Sequence, residues 1–417
     1  MIVPSIDIVA GSTVQLIGGE THVLDAGEPG AILERFSRVG EVAVVDIDAA
    51  RGEGDNTELI ERLCHQGPIR VGGGIRTVER ARSWLDAGAE KVVIGTAADE
   101  RLLAELPKER VIVALDAIRG EVVTHGWRSA TGRDLLDSIS RLRELCGGFL
   151  VTFVEREGRM EGTDLDLACK VVEAAGDTRV TIAGGVTTPS EVAVLDGVGA
   201  DAQVGMALYT GKLDLAEGFA APLVSDRADG LWPTVVVDEH EKALGLVYSS
   251  VGSLRQALET GRGVYESRSR GRWVKGESSG DAQELIGVSV DCDRDSLLFR
   301  VRQTGSFCHL GPRTCWGVDR GLTRLERRLR DIVDERPAGS NTVRLLESPA
   351  LLDAKLREEM AELLEENSDI SAETADVLYF ALVKSVAAGV KLEDIERVLD
   401  RRERAVTRRS MTAKEAN

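Results

Sequence analysis

Three cysteines stand near one another in the second half of the chain, one of them inside a run of aspartates. Cys292 lies inside Asp291-Cys292-Asp293-Arg294-Asp295, Cys308 in Phe307-Cys308-His309-Leu310, and Cys315 in Arg313-Thr314-Cys315-Trp316. Thiolates favour zinc, whereas an Asp-x-Asp-x-Asp run favours magnesium. Cys292, Cys308 and Cys315 are therefore candidate zinc ligands, and Asp291, Asp293 and Asp295 candidate magnesium ligands. Three protein ligands leave a fourth zinc position open for a water that the metal activates. The spacing also admits a structural zinc knuckle or three buried thiols.

A second carboxylate group follows. Lys355-Leu356-Arg357-Glu358-Glu359-Met360-Ala361-Glu362 precedes Glu373-Thr374-Ala375-Asp376. Spacings of three and four put Glu358, Glu359 and Glu362 on shared helix faces, and likewise Glu373 with Asp376. Like charges so placed repel, so a cation between two helices is a reason for them. A solvated charged face has the same look.

The first half carries glycines where phosphate chemistry would want them. Arg70-Val71-Gly72-Gly73-Gly74-Ile75-Arg76-Thr77 resembles Thr181-Ile182-Ala183-Gly184-Gly185-Val186-Thr187-Thr188. Gly95-Thr96-Ala97 likewise matches Gly205-Met206-Ala207, and the run ending in Asp7 matches the run ending in Asp116. The offsets are 109 to 111 residues. Uncovered backbone N–H groups at Gly73, Gly74, Gly95 and Thr96, and again at Gly184, Gly185 and Gly205, would each take one phosphate. Asp7 and Asp116 would face the ligand between them as base and acid. Tight turns and helix caps are the plainer alternative.

The elements that must position these groups can be read from periodicity. Residues 1–224 alternate apolar runs (Val42–Ile47, Ile69–Val71, Lys91–Ile94, Val111–Leu115, Phe149–Thr152, Val180–Ile182, Ala202–Val204) with amphipathic stretches. Two similar halves of four β/α units predict an eight-fold TIM barrel with a twofold internal repeat. Residues 225–230 read as a polar linker. Residues 231–317 are strand-rich and predict a β-rich α+β zinc domain. From residue 318 to 417 the pattern turns helical, predicting an all-α domain. Its apolar stripes are Leu322, Leu325, Leu329 and Ile332; Leu351, Leu356, Met360 and Leu363; and Val377, Leu378, Phe380, Ala381 and Val386.

Bulk composition narrows the function classes. The 417 residues are 43% hydrophobic and 4% aromatic, so aliphatic side chains must fill the cores. A formal charge of −18 argues against a nucleic-acid surface. No apolar run reaches membrane-spanning length. Six cysteines, three of them clustered, suit a reducing compartment. The expectation is a soluble, cytoplasmic protein acting on small molecules.

These motifs resemble three known families. Residues 1 to about 215 resemble the phosphoribosyl-formimino-aminoimidazole-carboxamide ribotide isomerases, through Pro4-Ser5-Ile6-Asp7, the Gly72–Arg76 turn, Val93-Ile94-Gly95-Thr96-Ala97, Leu115-Asp116, Gly126-Trp127 and Leu150-Val151-Thr152. The resemblance implies that Asp7 is the base of an Amadori rearrangement. It also implies that Asp116 and Thr152 are active-site groups and that Trp127 packs on substrate. The family usually has Arg at Gln15, His at Ala43 and Arg at Met206, and an Asp as second acid where Glu157 precedes Gly158. Residues 231–317 resemble phosphoribosyl-AMP cyclohydrolase, through Ser267-Arg268-Ser269-Arg270, Trp273-Val274-Lys275-Gly276-Glu277-Ser278-Ser279-Gly280, the Asp triplet and the cysteines. That family implies zinc on Cys292, Cys308 and Cys315 across a dimer interface and magnesium on the Asp triplet. Ser267, Arg268, Arg270, Trp273 and Lys275 are candidate substrate contacts. His309 could move the proton, or simply hydrogen-bond beside the ligand. Residues 321 to about 405 resemble phosphoribosyl-ATP pyrophosphohydrolase, an all-helical magnesium enzyme. This likeness implies magnesium on Glu358, Glu359, Glu362, Glu373 and Asp376, and substrate contacts at Ser340, Thr342 and Lys355. Phe380, where bacterial forms usually have His, resembles the fungal multifunctional histidine proteins. The three likenesses name consecutive steps of histidine biosynthesis and imply a homodimer using zinc and magnesium. An inactive barrel serving as a scaffold is the rival reading.

Overall fold

The computed structural model describes residues 1–17, 21–124, 126–127, 129–267 and 271–408. Eight parallel strands follow one another around a closed barrel. They are β1 (Ile2–Val9), β2 (Val42–Asp46), β3 (Ile69–Gly72), β4 (Lys91–Ile94), β5 (Val111–Ile118), β6 (Gly148–Phe153), β7 (Arg179–Ala183) and β8 (Ala200–Val204). Each pairs with the next, and β8 returns to β1, with Ile2 opposite Ala202. Ile112, Leu150 and Ala183, on three adjacent strands, pack with Val93 and Ala114, as the side-chain layers of a closed barrel do.

The internal repeat is visible in the helix starts. Thr77 caps the helix Val78–Ala87 by accepting from the Arg80 N–H, and Thr188 caps Pro189–Gly197 by accepting from the Glu191 N–H. Gly73 and Gly184 both have left-handed φ, +98° and +95°. A Cβ at Gly73 would stand 2.2 Å from the Asp46 carbonyl oxygen, and one at Gly184 2.5 Å from that of Phe153. The two turns therefore pass so close to the preceding strand that only glycine fits.

Four strands lie beyond those the apolar runs predict. Ser12–Ile17 pairs with β1 and with Thr21–Gly27, and Glu121–Thr124 pairs with β5 and with Ser129–Asp134. They stand after β1 and after β5, equivalent places in the two halves. Thr21–Gly27 and Ser129–Asp134 are largely solvent-exposed, so they carry no apolar run to betray them.

The second sheet has six strands in the order β12-β11-β10-β9-β14-β13. These are β9 (Trp232–Val237), β10 (Ala243–Ser249), β11 (Val264–Ser267), β12 (Gly271–Val274), β13 (Gln283–Val290) and β14 (Leu297–Gln303). Strands β11 and β12 form a hairpin in a stretch dense in small, hydroxyl and basic residues, with Val264, Tyr265, Trp273 and Val274 among them.

The chain gathers into two compact units, whose limits differ from those of the sequence regions. One holds Met1–Val237, Leu246–Gly305 and the described residues after Glu403. The other holds Asp238–Gly245 and Ser306–Glu403. Its helices are α1 (Leu322–Glu335), α2 (Asn341–Glu347), α3 (Pro349–Leu363), α4 (Ile370–Ala387) and α5 (Leu392–Arg404). Leu329, Leu345, Leu352, Leu382, Val383, Val386 and Leu392 form its core. The predicted stripes are only partly buried. Leu322, Leu351, Met360 and Leu378 are exposed, and α3 turns Leu352 and Glu359 inward instead. Part of the inner face of α3 is thus given to a carboxylate, which periodicity of apolar residues alone does not register.

This unit also buries charge. Asp238 is fully buried, with Arg313 at 3.6 Å and Arg327 of α1 at 3.8 Å. Arg327 also meets Asp319 at 2.5 Å, and Lys242 pairs with Asp319 as well. Asp238 accepts from the backbone N–H groups of His240 and Lys242. The network ties the turn before β10, the cysteine-bearing segment and α1 together.

Candidate active sites

The barrel brings three carboxyl groups together at the C-terminal ends of its strands. Asp7 lies near the end of β1, Asp116 lies on β5 in register with Thr152 of β6, and Glu157 follows the turn Val154–Arg156. Burial pushes the Asp7 carboxyl up to about 6. Burial, and then the nearby charges of Asp7 and Asp116, push Glu157 up to about 7. Burial raises Asp116 too, offset by hydrogen bonds from Thr152 and Trp127. Trp127 holds a left-handed φ of +68° there, a conformation rare for a bulky residue and frequent at ligand sites. The sequence reading omits Tyr209, whose hydroxyl donates to the Ser5 carbonyl at 2.9 Å and feels the charge of Asp7. Nothing in its spacing marks it.

Two glycine cradles flank these acids. Gly184, Gly185 and Gly205 line a cavity with Ser5, Glu157 and Met206. A Cβ at Gly205 would stand 2.8 Å from Ser5 Oγ and 2.9 Å from Gln15 Oε1. Gly73 and Gly74 make the equivalent turn opposite, with Gly95 following β4 and Thr96 exposed beyond it. Arg76 is engaged elsewhere, donating to the carbonyls of Ala49 and Ala50 at 3.3 and 2.9 Å. Of the departures, Gln15, Ala43 and Met206 are all buried.

In the second sheet, Asp291, Asp293 and Asp295 bring carboxylate oxygens within 4.8 Å of one another. The loop is held by the N–H groups of Asp295 and Ser296, which donate to Asp291 Oδ1 at 3.1 and 3.2 Å. Clustered hard oxygens on a fixed loop fit magnesium. Trp273 lies opposite Tyr265 across the hairpin, ring centroids 5.4 Å apart. Lys275 is buried, which lowers its pKa against the opposing pull of Asp281. Ser267 ends β11, while Arg268 and Arg270 lie outside the described residues.

Cys308 and Cys315 belong to the other unit, where they are hydrogen-bonded to each other. Cys308 N–H donates to Pro312 O, and Cys315 N–H to Leu244 O at 2.8 Å. Two adjacent thiols on a braced segment fit half of a zinc site. Cys292 is exposed in the first unit, and His309 is exposed next to Cys308.

On α3 and α4, Glu359, Glu362 and Glu373 gather within 4.8 Å. Desolvation and the charges of Glu362, Glu359 and Asp376 hold the Glu373 pKa above its usual range, the mark of a site short of positive charge. That donor set fits magnesium. Lys355 reaches Glu358 at 2.8 Å and Glu359 at 3.2 Å. Thr342 shares a 2.8 Å hydrogen bond with Tyr379, and Ser340 caps α2.

Comparison with known proteins bears on what these sites are for. The family described as "Histidine biosynthesis protein" matches residues 1–214. The chain belongs to that family. "Phosphoribosyl-AMP cyclohydrolase" matches residues 245–317, and "Phosphoribosyl-ATP pyrophosphohydrolase" residues 322–403. A histidine biosynthesis trifunctional protein of Neurospora crassa is 38% identical over 358 residues, covering 82% of this chain and 38% of that one. A histidine biosynthesis bifunctional protein of Schizosaccharomyces pombe is 49% identical over 208 residues, covering 49% of this chain and 50% of its own length. An imidazole-4-carboxamide isomerase of Gemmatimonas aurantiaca is 41% identical over 235 residues, covering 52% of this chain and 99% of its own length. This chain thus spans half or less of the two fungal relatives.

Proposed function

We propose that the chain carries out three consecutive steps of histidine biosynthesis. The observation that carries the reading is the order of three distinct family matches along one chain, each coinciding with a chemically suitable site. The helical region hydrolyses phosphoribosyl-ATP to phosphoribosyl-AMP and pyrophosphate. Glu359, Glu362 and Glu373, with Glu358 and Asp376, would hold magnesium, which neutralises phosphate charge when bound. Lys355, Ser340 and Thr342 lie on the substrate side of this reading.

The middle region adds water to C6 of the adenine ring and breaks the C6–N1 bond. Zinc on Cys308, Cys315 and Cys292, the last from this chain or a second copy, supplies an activated water when bound. Asp291, Asp293 and Asp295 would hold magnesium. Lys275 and Trp273, with Ser267, Arg268 and Arg270, would orient the nucleotide, and His309 would carry the proton.

In the barrel, the product is an aminoaldose with a phosphate at each end, one for each glycine cradle. Glu157, pushed up to about 7, is still partly protonated near neutral pH and can donate to the opening ribose oxygen. Asp7 is ionised and can take the proton from the adjacent carbon, with Asp116 and Thr152 orienting the sugar. Buried Ala43 and Met206, where the family usually has His and Arg, favour a second reading in which the barrel is a scaffold for the two hydrolases.

The test is incubation of the full chain with phosphoribosyl-ATP, zinc and magnesium, with products separated by chromatography, because aminoaldose and aminoketose have equal mass. Accumulated aminoketose, lost in Asp7→Asn, supports three activities. Arrest of wild type at the aminoaldose supports the scaffold. Unchanged phosphoribosyl-ATP sinks the whole reading.

A further inference from the structure

One residue of the Asp-Cys-Asp-Arg-Asp loop belongs to neither metal set. Arg294 holds a left-handed φ of +64°, strained for a side chain of its length. Both ends of the residue are tied to the first sequence region. Its carbonyl accepts the Val224 N–H at 2.9 Å. Its guanidinium grips both oxygens of Asp196, Nε to Oδ2 at 2.5 Å and Nη2 to Oδ1 at 2.6 Å. The Asp196 side chain is only 8% exposed, against 31% for Arg294.

Asp196 sits in the last turn of the barrel helix Pro189–Gly197, which has no basic residue there. A carboxylate at that end opposes the helix dipole. It is tolerated because cations face it, Arg294 and the Met1 amino group at 2.8 Å. A two-pronged arginine–carboxylate pair fixes direction as well as distance. The residues on either side of Arg294 are Asp293 and Asp295, so fixing Arg294 fixes the path of the backbone that carries the triplet.

We infer that Asp196 of the barrel is a positioning residue for the Asp291–Asp295 metal loop, so that the barrel braces the ring-opening site whether or not it turns over substrate itself. The inference rests on reading residues 245–317 as a cyclohydrolase. Its test does not depend on turnover. Hydrogen exchange of the 291–296 peptide is compared in wild type, Asp196→Ala and Asp196→Glu. Manganese binding is followed by electron paramagnetic resonance, and the Asp293→Asn variant identifies the signal from this loop.

In Asp196→Ala, exchange in the loop should quicken by about tenfold and manganese half-saturation should rise by about tenfold, as when a partner that orients metal ligands is lost. Asp196→Glu should recover part of both, and exchange in the other barrel peptides should stay unchanged. Unaltered loop exchange and manganese binding would overturn the inference. So would quickened exchange across the whole barrel, which would make Asp196 a folding residue only. If wild type opens no adenine ring, the functional reading fails, while these two measurements still decide the role of Asp196.

Discussion

Asp7 and Glu157 share one mouth of the barrel, and their burial sets a pH window. With Asp7 ionising at about 6 and Glu157 at about 7, the pair holds one base and one acid only between those values. Isomerase turnover should fall below about 6 as Asp7 gains its proton, and above about 7 as Glu157 loses its own. The limbs belong to the interacting group rather than to either residue alone. A rate profile without an alkaline limb, or one unchanged in Glu157→Gln, would refute the assignment. The same burial has a stability consequence. The folded Asp7 carboxyl binds its proton more tightly than the unfolded one, so its contribution is full below about pH 4 and lost as pH rises through 6. Asp7→Asn should therefore abolish turnover yet raise stability at pH 8, by on the order of 3 kcal/mol, with little change at pH 4. Melting curves at the two pH values check the sign.

At the scale of elements, the two glycine turns make matched predictions. Gly73→Ala and Gly184→Ala each drive a methyl into the carbonyl of the preceding strand and strain a positive φ. Each should cost about 2 kcal/mol or more, measurable by denaturant unfolding, and weaken the phosphate cradle on its own side. Equal stability with wild type would mean that these turns do not need glycine. On α3, Glu362→Gln should reduce the magnesium dependence of pyrophosphate release at least tenfold while leaving ring opening intact. Loss of both would point to misfolding.

The elements also show what could be read beforehand. The barrel strands were legible because each is a buried Val/Ile run, and the repeat because its glycines cannot be replaced. The outer rim strands Thr21–Gly27 and Ser129–Asp134 were not, since their exposed residues carry no apolar signal. Asp7 and Asp116 stand out through the internal repeat and Glu157 only through resemblance, while their mutual repulsion depends on three strand ends meeting in space. Tyr209, and the pairing of Arg294 with Asp196 98 residues away, left no trace in spacing.

At the scale of the whole molecule, charge governs encounter. A chain of net −18 repels polyanionic nucleotides at long range, and local sites must overcome that. Modest added salt, at fixed magnesium, should raise kcat/KM for phosphoribosyl-ATP before higher salt screens the site contacts. A monotonic fall would show that local positive potential dominates instead. The buried Asp238 network has a different consequence, for how the chain can be divided. The sequence match to the cyclohydrolase ends at residue 317, but Asp238 and Lys242 meet Arg327 and Asp319 beyond it. A gene cut at that boundary would take Arg327 from beside buried Asp238, leaving it Arg313, and would leave Lys242 without its acid, so the fragment should be less stable than the full chain. Fragments meant to isolate the ring-opening activity should carry α1 with them. Limited proteolysis is expected to spare the 306–335 stretch rather than nick it where the families meet.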